Sequence, residues 1–226
     1  MRAKPVDGTA DPVIIAPMKI ISVNTGIARR IRGTGSVSGI DKRPRSGPVK
    51  VGRLGLDGDE IVHREVHGGP DQAVYLYSVE DYAFFEPMLG RDLAPGSFGE
   101  NLTVSGFDSR SLSVGDRFIS AGLELEVTSP RIPCSTFAAH MDTKDLPARF
   151  MAEGRAGAYC RVIREGPVEA GGVFTHRLSS GEAVTLGELM ETYPYKRISA
   201  ETRARYLASP LQERLAQYLR GERDRP

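Results

Sequence analysis

The sequence predicts a mainly β protein, a barrel or a sandwich of short strands, with short helices and a small helical region at its C-terminal end. The chain has 226 residues, and its 25 glycines and 15 prolines separate short β-branched and apolar runs as far as about Ser179. Many short strands at this spacing are typical of closed or two-layered β-structures. Beyond Ser180, leucines recur at four-residue steps, which indicates helices instead.

The strand predictions rest on alternation and on turn residues. In residues 123–128, Leu123, Leu125 and Val127 alternate with two glutamates and a threonine, which predicts one buried and one solvent-facing side. Residues 117–120 lead through Ala121-Gly122 into this run, so the two segments are expected to pair as an antiparallel hairpin. Further strands are predicted at residues 18–23, 36–40, 49–54, 73–77, 101–104 and 158–163.

Helices are predicted at three places within this β-rich part and again at the C-terminal end. Ser78 is suited to cap a helix over residues 79–89, because serine side chains accept hydrogen bonds from the free amides of the first turn. Shorter helices are expected at 135–141 and 146–153. We therefore expect a flexible extension over residues 1–17, a β-barrel domain over 18–182 and a helical subdomain over 183–226.

Composition excludes several broad classes of protein. The formal net charge is +1 at pH 7, so the chain lacks the excess charge typical of general binding to nucleic acid or to a membrane surface. No run approaches the roughly 20 apolar residues of a membrane-spanning helix. The first residues do not have the pattern of a signal peptide, and the two cysteines are interpreted as reduced thiols, so a cytoplasmic location is predicted.

Polar residues concentrate in three loops framed by glycine or proline, at 66–71, 95–102 and 129–134. Each loop alone could be no more than a turn. The third is the most informative, because it places the Cys134 thiol beside Arg131 at the start of a predicted helix. A neighbouring cation and helix N-terminal amides both stabilise a thiolate, although an inert buried cysteine stays possible. Cys160, within a predicted strand, is interpreted as structural.

Several well-known motifs of enzymes are absent from the sequence. There is no C-x-x-C, no H-E-x-x-H, no G-x-G-x-x-G, no Walker loop and no G-x-S-x-G elbow. His63 and His67 are four residues apart, but the flanking valines and the following Gly68-Gly69 predict strand and turn, so a zinc pair on one helix face is not expected.

Four motifs, read in order, resemble the signature series of MOSC domains, the fold named from the C-terminal part of molybdenum cofactor sulfurase. They are VHGGPD at 66–71, FGENL at 98–102, VGD at 114–116 and PRIPC at 130–134. The resemblance is greatest to the stand-alone bacterial YiiM-type proteins. It implies a MOSC β-barrel, similar to the β-barrel of pyruvate kinase, followed by a short C-terminal helical extension.

The resemblance also implies a cofactor and the residues that would bind it. The family binds the molybdenum cofactor, a molybdopterin that holds molybdenum, and Cys134 would be the catalytic cysteine and the protein ligand of the metal. A thiolate is a soft donor suited to such a metal. Arg131 would lie beside the metal or the pterin, His67 and Asn101 would hydrogen-bond the pterin or its phosphate, and Lys42 would anchor the phosphate.

Proteins of this type reduce N-hydroxylated compounds, including hydroxylaminopurines and amidoxime-like substrates, and so remove mutagenic base analogues. An iron–sulfur cluster needs about four cysteines, and this chain has two. The reduction implied by the resemblance is therefore expected to use an external electron donor, a reductase or a ferredoxin-type protein. A monomer or a homodimer is expected. Residues 135–137 differ from the corresponding run of relatives and are expected to shape the substrate pocket.

Two other functions fit the same residues. The domain could be a sulfur-carrier or cofactor-transfer module that uses a persulfide on Cys134 and has no reductase activity. Alternatively, Cys134 could be the nucleophile of a hydrolase, with His67 or His140 as its base. Pyridoxal phosphate is sometimes associated with the family, but the sequence shows no lysine in a setting that favours a Schiff base.

Overall fold

A computed structural model describes the backbone of residues 14–31 and 33–226. Its strands are β1 (Ile14–Thr25), β2 (Arg29–Arg30), β3 (Val37–Ser38), β4 (Arg43–Pro44), β5 (Val49–Gly52), β6 (Gly55–Leu56), β7 (Val74–Ser78), β8 (Leu102–Ser105), β9 (Arg117–Ile119), β10 (Glu124–Pro130), β11 (Ala158–Arg164), β12 (Gly166–Val168) and β13 (Val173–Arg177). Its α-helices are α1 (Arg64–His67), α2 (Val79–Leu89), α3 (Ser135–His140), α4 (Leu146–Glu153), α5 (Leu186–Thr192), α6 (Ala200–Ala208) and α7 (Glu213–Leu219).

Seven of these strands form a closed barrel. Neighbours follow the order β1, β8, β7, β11, β10, β9 and β13, and the barrel closes because β13 pairs with β1 as well as with β9. Every pair is antiparallel except β7 and β8, which run parallel with Leu76 opposite Leu102. The structure thus confirms a mainly β fold and, of the two predicted architectures, selects the barrel.

The predicted helices and hairpin are confirmed, with small differences in their bounds. Ser78 accepts a hydrogen bond from the amide of Asp81 and caps α2. Ser199 likewise caps α6 by accepting from the amide of Thr202. Strands β9 and β10 pair antiparallel, with Ile119 opposite Glu124.

The boundary predicted for the N-terminal extension differs from the structure. Strand β1 begins at Ile14, four residues before the expected start, and Ile15 lies opposite His176 of β13. Residues 14–17 are therefore part of the sheet, because β13 supplies a hydrogen-bonding partner that the local sequence does not show. The rest of the predicted extension, residues 1–13, lies outside the described residues.

The C-terminal helices pack on the barrel and share its core. Tyr206, Leu215 and Leu219 belong to the same apolar cluster as the barrel residues Phe118 and Phe174. None of the helices within the described ranges is long and apolar enough to cross a membrane. Burial of leucine and aromatic side chains against the barrel contributes roughly 1.5–3 kcal/mol each, which stabilises these short helices.

The prediction of a solvent-facing side on β10 is wrong. Glu126 is 6% exposed and Thr128 is fully buried. The amide of Gln212, just before α7, donates to the carbonyl of Thr128 over 3.1 Å, so the chain leading into α7 lies against this strand. Ion pairs with Arg117 and Arg161 satisfy the Glu126 carboxylate in its buried position.

A second apolar cluster lies outside the barrel core and is largely aromatic. Phe98, Phe137 and Phe150 form its centre, with ring centroids 5.1 to 5.7 Å apart. Tyr75 and Tyr77 of β7 belong to the same cluster. Since aromatic pairs at these distances add to the stabilisation from burial, the cluster gives the loops around it a rigid support.

Candidate functional site

A cleft of about 670 Å³, measured to its open mouth, brings the predicted site residues together. The five residues predicted as site residues all line it: Lys42, His67, Asn101, Arg131 and Cys134. They come from four separate parts of the chain, so the fold creates this convergence.

Cys134 is half-buried and stands at the N-terminal end of α3. Partial burial alone raises the pKa of its thiol, but a hydrogen bond with His67, the charge of Arg131 and the amide of Phe137 together lower the pKa to about 6. An ordinary cysteine has a pKa of about 8.5, so Cys134 is largely a thiolate near neutral pH. Cys160 is fully buried, and burial raises the pKa of its thiol.

We expect the rate of Cys134 alkylation by iodoacetamide to rise with pH around a midpoint of about 6. Replacing His67 with alanine removes a group that stabilises the thiolate, so the midpoint should move upward, toward the ordinary value of about 8.5. Mass spectrometry of the modified peptide over a pH series measures both profiles. The Cys160→Ala variant is the control and should keep the midpoint of about 6. A midpoint above about 8 in the wild-type protein would contradict this description of the site.

Arg131 is 7% exposed and fixed on several sides. Its guanidinium lies 5.1 Å from the ring centroid of Tyr75 and 4.6 Å from that of Phe137, and it donates to the carbonyl of Phe98. Burial alone lowers the pKa of this group, but its interactions with Tyr75, Tyr159 and Cys134 raise the pKa above the ordinary value. The site therefore holds a permanent cation in a rigid position next to the thiolate.

Phe98, whose carbonyl accepts the bond from Arg131, is itself held by a buried carboxylate, that of Glu100. Its Oε1 accepts hydrogen bonds from Tyr82 (2.5 Å), the Gly96 amide (2.6 Å) and Thr103 (2.6 Å). Its Oε2 accepts from the amide of Phe98 over 3.2 Å. Burial raises the pKa of Glu100, while these donors oppose the rise. The glutamate of the FGENL motif thus fixes the loop that positions Arg131.

A glycine is required in the same loop for two reasons. Gly99 has a φ of +80°, in the left-handed region that favours glycine. A β-carbon at this position would also lie 2.8 Å from the side chain of Ile40. The motif therefore keeps glycine here because the loop both turns sharply and packs closely against the opposite wall of the cleft.

Lys42 and Asn101 face the cleft, but both are bound to the same carboxylate, that of Asp59. Lys42 forms an ion pair with it, and Asn101 donates its side-chain amide to Asp59 Oδ2 over 2.9 Å. The side-chain oxygen of Asn101, Oδ1, accepts from the backbone amide of Tyr75 over 3.1 Å. Burial lowers the pKa of Lys42, an effect that Asp59 opposes. This arrangement supports a positioning role for Asn101; contact of either residue with a ligand stays a prediction.

The segment that carries His67 differs from its predicted structure. Residues 64–67 form the helix α1 instead of strand and turn, and the amide of His67 donates to the carbonyl of His63 over 2.8 Å. Both histidines line the cleft. The prediction was wrong because distant residues stabilise this turn: Arg214 of α7 donates to the carbonyl of Gly68 over 2.9 Å.

Among the residues of the cleft that sequence reasoning missed are Asp59, Tyr75 and Tyr159. Asp59 lies in the run LDGDE at 56–60, whose glycine and acidic residues mark it as a polar loop like the other three. That signal could have identified Asp59. The two tyrosines lie on β7 and β11, side by side with ring centroids 5.2 Å apart, and nothing in their local sequence distinguishes them from other core residues.

Comparison with known proteins gives one family. The family model described as MOSC domain matches residues 63–175. The uncharacterized protein YflK of Bacillus subtilis is 36% identical over 154 residues, which are 67% of this chain and 70% of the relative. A protein named reductase, from Gibberella moniliformis, is 29% identical over 160 residues, which are 67% of this chain and 28% of the relative.

Among solved structures, that of YiiM from Geobacillus stearothermophilus matches with a TM-score of 0.75 and 28% identity, covering 91% of this chain and 98% of that one. A barrel carrying the ordered loop motifs around one cysteine-containing cleft defines a MOSC domain. The chain belongs to the MOSC-domain family, and within it to the YiiM type.

Proposed function

We propose that this protein is a molybdenum-cofactor-dependent reductase of N-hydroxylated compounds, with Cys134 as the thiolate ligand of the metal. The observation that carries the proposal is the position of Cys134. Cys134 lines the cleft together with Arg131 and His67, and the pKa of its thiol is lowered to about 6. A thiolate that is available near neutral pH is a soft ligand. It therefore suits molybdenum, which molybdopterin already holds through sulfur.

The residues of the cleft fit this cofactor by their donor chemistry. Cys134 supplies one sulfur, while Arg131 supplies a fixed cation for the anionic part of a pterin. His67 would hydrogen-bond the pterin or its phosphate. Lys42 would face the phosphate with its charge balanced by Asp59.

The cofactor, when bound, supplies the two-electron chemistry that removes oxygen from an N-hydroxyl group as water. The chain's own residues prepare the cleft for it. His67 and Arg131 keep Cys134 ionised, and the aromatic cluster beneath Arg131 excludes water from that side. Tyr159 keeps its phenolic proton near neutral pH, because burial raises its pKa. A protonated hydroxyl therefore stands in the cleft beside Arg131 and Cys134.

Reduction of an N-hydroxyl group consumes two electrons, and we propose that an external redox protein delivers them. The fungal relative named reductase supports this arrangement, because this chain spans 28% of its length and the rest can carry further domains. Hydroxylaminopurines and amidoximes are the proposed substrates, and the cytoplasm is the proposed location.

The proposal is tested with protein produced in a host that makes the molybdenum cofactor. We expect about one molybdenum per chain, and reduction of 6-hydroxylaminopurine and benzamidoxime with a chemical electron donor. Substrate loss is followed by liquid chromatography and the metal by elemental mass spectrometry. Protein from a host unable to make the cofactor is the control. Full molybdenum loading with no reduction of any N-hydroxylated compound would contradict the proposed activity.

The persulfide on Cys134 is the second candidate, since an acidic thiolate is also suited to carry sulfur. Mass spectrometry of the intact protein distinguishes the two functions. A stable addition of one sulfur atom to Cys134 in metal-free protein would favour the carrier. An unmodified cysteine with stoichiometric molybdenum would favour the reductase.

A further inference from the structure

Helix α7, near the C-terminal end of the chain, contacts α1, the helix that carries His67. Arg214 donates from one guanidinium nitrogen to two backbone carbonyls of this segment, that of Arg64, the first residue of α1 (3.2 Å), and that of Gly68, just after its last residue (2.9 Å). Such charge-assisted bonds are stronger than bonds between neutral groups. Arg214 therefore contacts α1 at both of its ends.

A second contact joins the same two regions. Asp71, which ends the VHGGPD motif, accepts from the amide of Glu213 over 2.8 Å and pairs with Arg161 over 3.0 Å. Its backbone carbonyl accepts from Thr128 of β10 over 2.6 Å. Arg214 therefore begins from a fixed position, because the first turn of α7 is bound to the barrel through Asp71.

Helix α1 depends on these contacts. It has four residues, and its N-cap residue His63 forms no side-chain capping bond. An isolated helix this short is unstable in water, since a first turn costs more conformational entropy than its hydrogen bonds return. Within the described residues, the contacts of Arg214 connect this short segment to the rest of the fold.

Arg214 also lies close to the wall of the cleft. Burial raises the pKa of Tyr159, and the Arg214 guanidinium acts on it in the opposite direction, as Arg131 does from within the cleft. Tyr159 and His67 both line the cleft with Cys134. Helix α7 thus contacts α1, which carries His67, on the side away from the cleft.

We propose that Arg214 is a positioning residue that fixes α1 and so places His67 beside Cys134, which makes the C-terminal helices part of the functional unit. The contacts of Arg214 with α1 are made to the backbone of this chain and need no bound cofactor. The effect on activity rests on the proposed reductase function, so the test has one readout without the cofactor and one with it.

The first readout is hydrogen exchange of cofactor-free protein. In Arg214→Ala, the amide of His67 should exchange about tenfold faster, because the bonds that hold the end of α1 are lost. Arg214→Lys should restore part of the protection, since lysine keeps the charge but lacks the planar guanidinium. Arg220→Ala is the matched control, because Arg220 is an exposed arginine just after the end of α7 and pairs with Glu213 and Glu222. Unchanged exchange in Arg214→Ala would overturn the proposal.

The second readout is a double-mutant cycle between Arg214→Ala and His67→Ala. We expect Arg214→Ala to slow Cys134 alkylation at a fixed pH, and to lower kcat/KM of the loaded enzyme about tenfold. Neither effect should occur in the His67→Ala background, because Arg214 acts through His67. Equal effects in both backgrounds would overturn the proposal. Failure of the reductase function would abolish activity in every variant but leave the alkylation cycle readable.

Discussion

Replacing Cys134 with serine should abolish the proposed molybdenum binding and reduce the proposed N-hydroxyl reduction about 100-fold or more. Serine has nearly the same size, but its hydroxyl stays protonated near neutral pH and its oxygen is a hard donor. The Cys134 thiol, in contrast, has a pKa lowered to about 6 by His67, Arg131 and the Phe137 amide. The expected loss is large because both the charge and the softness of the ligand disappear.

Three measurements on purified variants check this result: molybdenum per chain, the reduction rate of benzamidoxime, and the midpoint of thermal unfolding. Cys160→Ala is the control for a cysteine outside the cleft, since Cys160 is fully buried in the barrel core. It should lower stability through a small cavity while keeping the metal. A Cys134→Ser protein that keeps both molybdenum and activity would show that the metal is bound elsewhere.

Replacing Glu100 with alanine should destabilise the fold by about 3 kcal/mol or more. Alanine leaves three buried donors without their acceptor, and each unsatisfied group costs about 1–3 kcal/mol. They are Tyr82, Thr103 and the amide of Gly96. The Phe98 amide loses its bond to Glu100 but keeps a longer one to the Tyr82 hydroxyl, over 3.4 Å. Because Phe98 also positions Arg131, the surviving folded protein should show a higher pH midpoint for Cys134 alkylation.

A matched variant separates the contributions at this position. Glu100→Gln keeps the size and can keep the oxygen that accepts from Tyr82, Gly96 and Thr103, so it should lose mainly the bond from the Phe98 amide. We expect a cost of about 1–3 kcal/mol, measured by urea unfolding. Glu169 is exposed, and Glu169→Ala should change stability by less than about 0.5 kcal/mol. Equal stability of Glu100→Ala and Glu169→Ala would refute this account of the loop.

The barrel strands and the capped helices were predictable because their signals are local. Alternation of apolar residues indicated β10, the turn residues at 121–122 indicated its pairing with β9, and Ser78 marked a helix start that the structure confirms. The order of four loop motifs also identified the family and the cysteine of the cleft. These features follow from backbone geometry and short-range hydrogen bonds, which neighbouring residues determine.

The remaining features depend on contacts between distant parts of the chain. Helix α1 is contacted by Arg214, about 150 residues later, which donates to the carbonyls of Arg64 and Gly68. Glu126 and Thr128 are buried because the C-terminal segment covers β10. The pairing of Lys42 with Asp59 arises only when two loops meet. Local pattern cannot encode these contacts, since each partner taken alone resembles an ordinary surface residue.

The most direct test of the central claim locates molybdenum in crystals of protein produced with its cofactor. An anomalous difference map from data at the molybdenum absorption edge should show one strong peak in the cleft, at bonding distance from the sulfur of Cys134. A crystal with molybdenum bound away from this sulfur, or fully active protein that contains no molybdenum, would contradict the account.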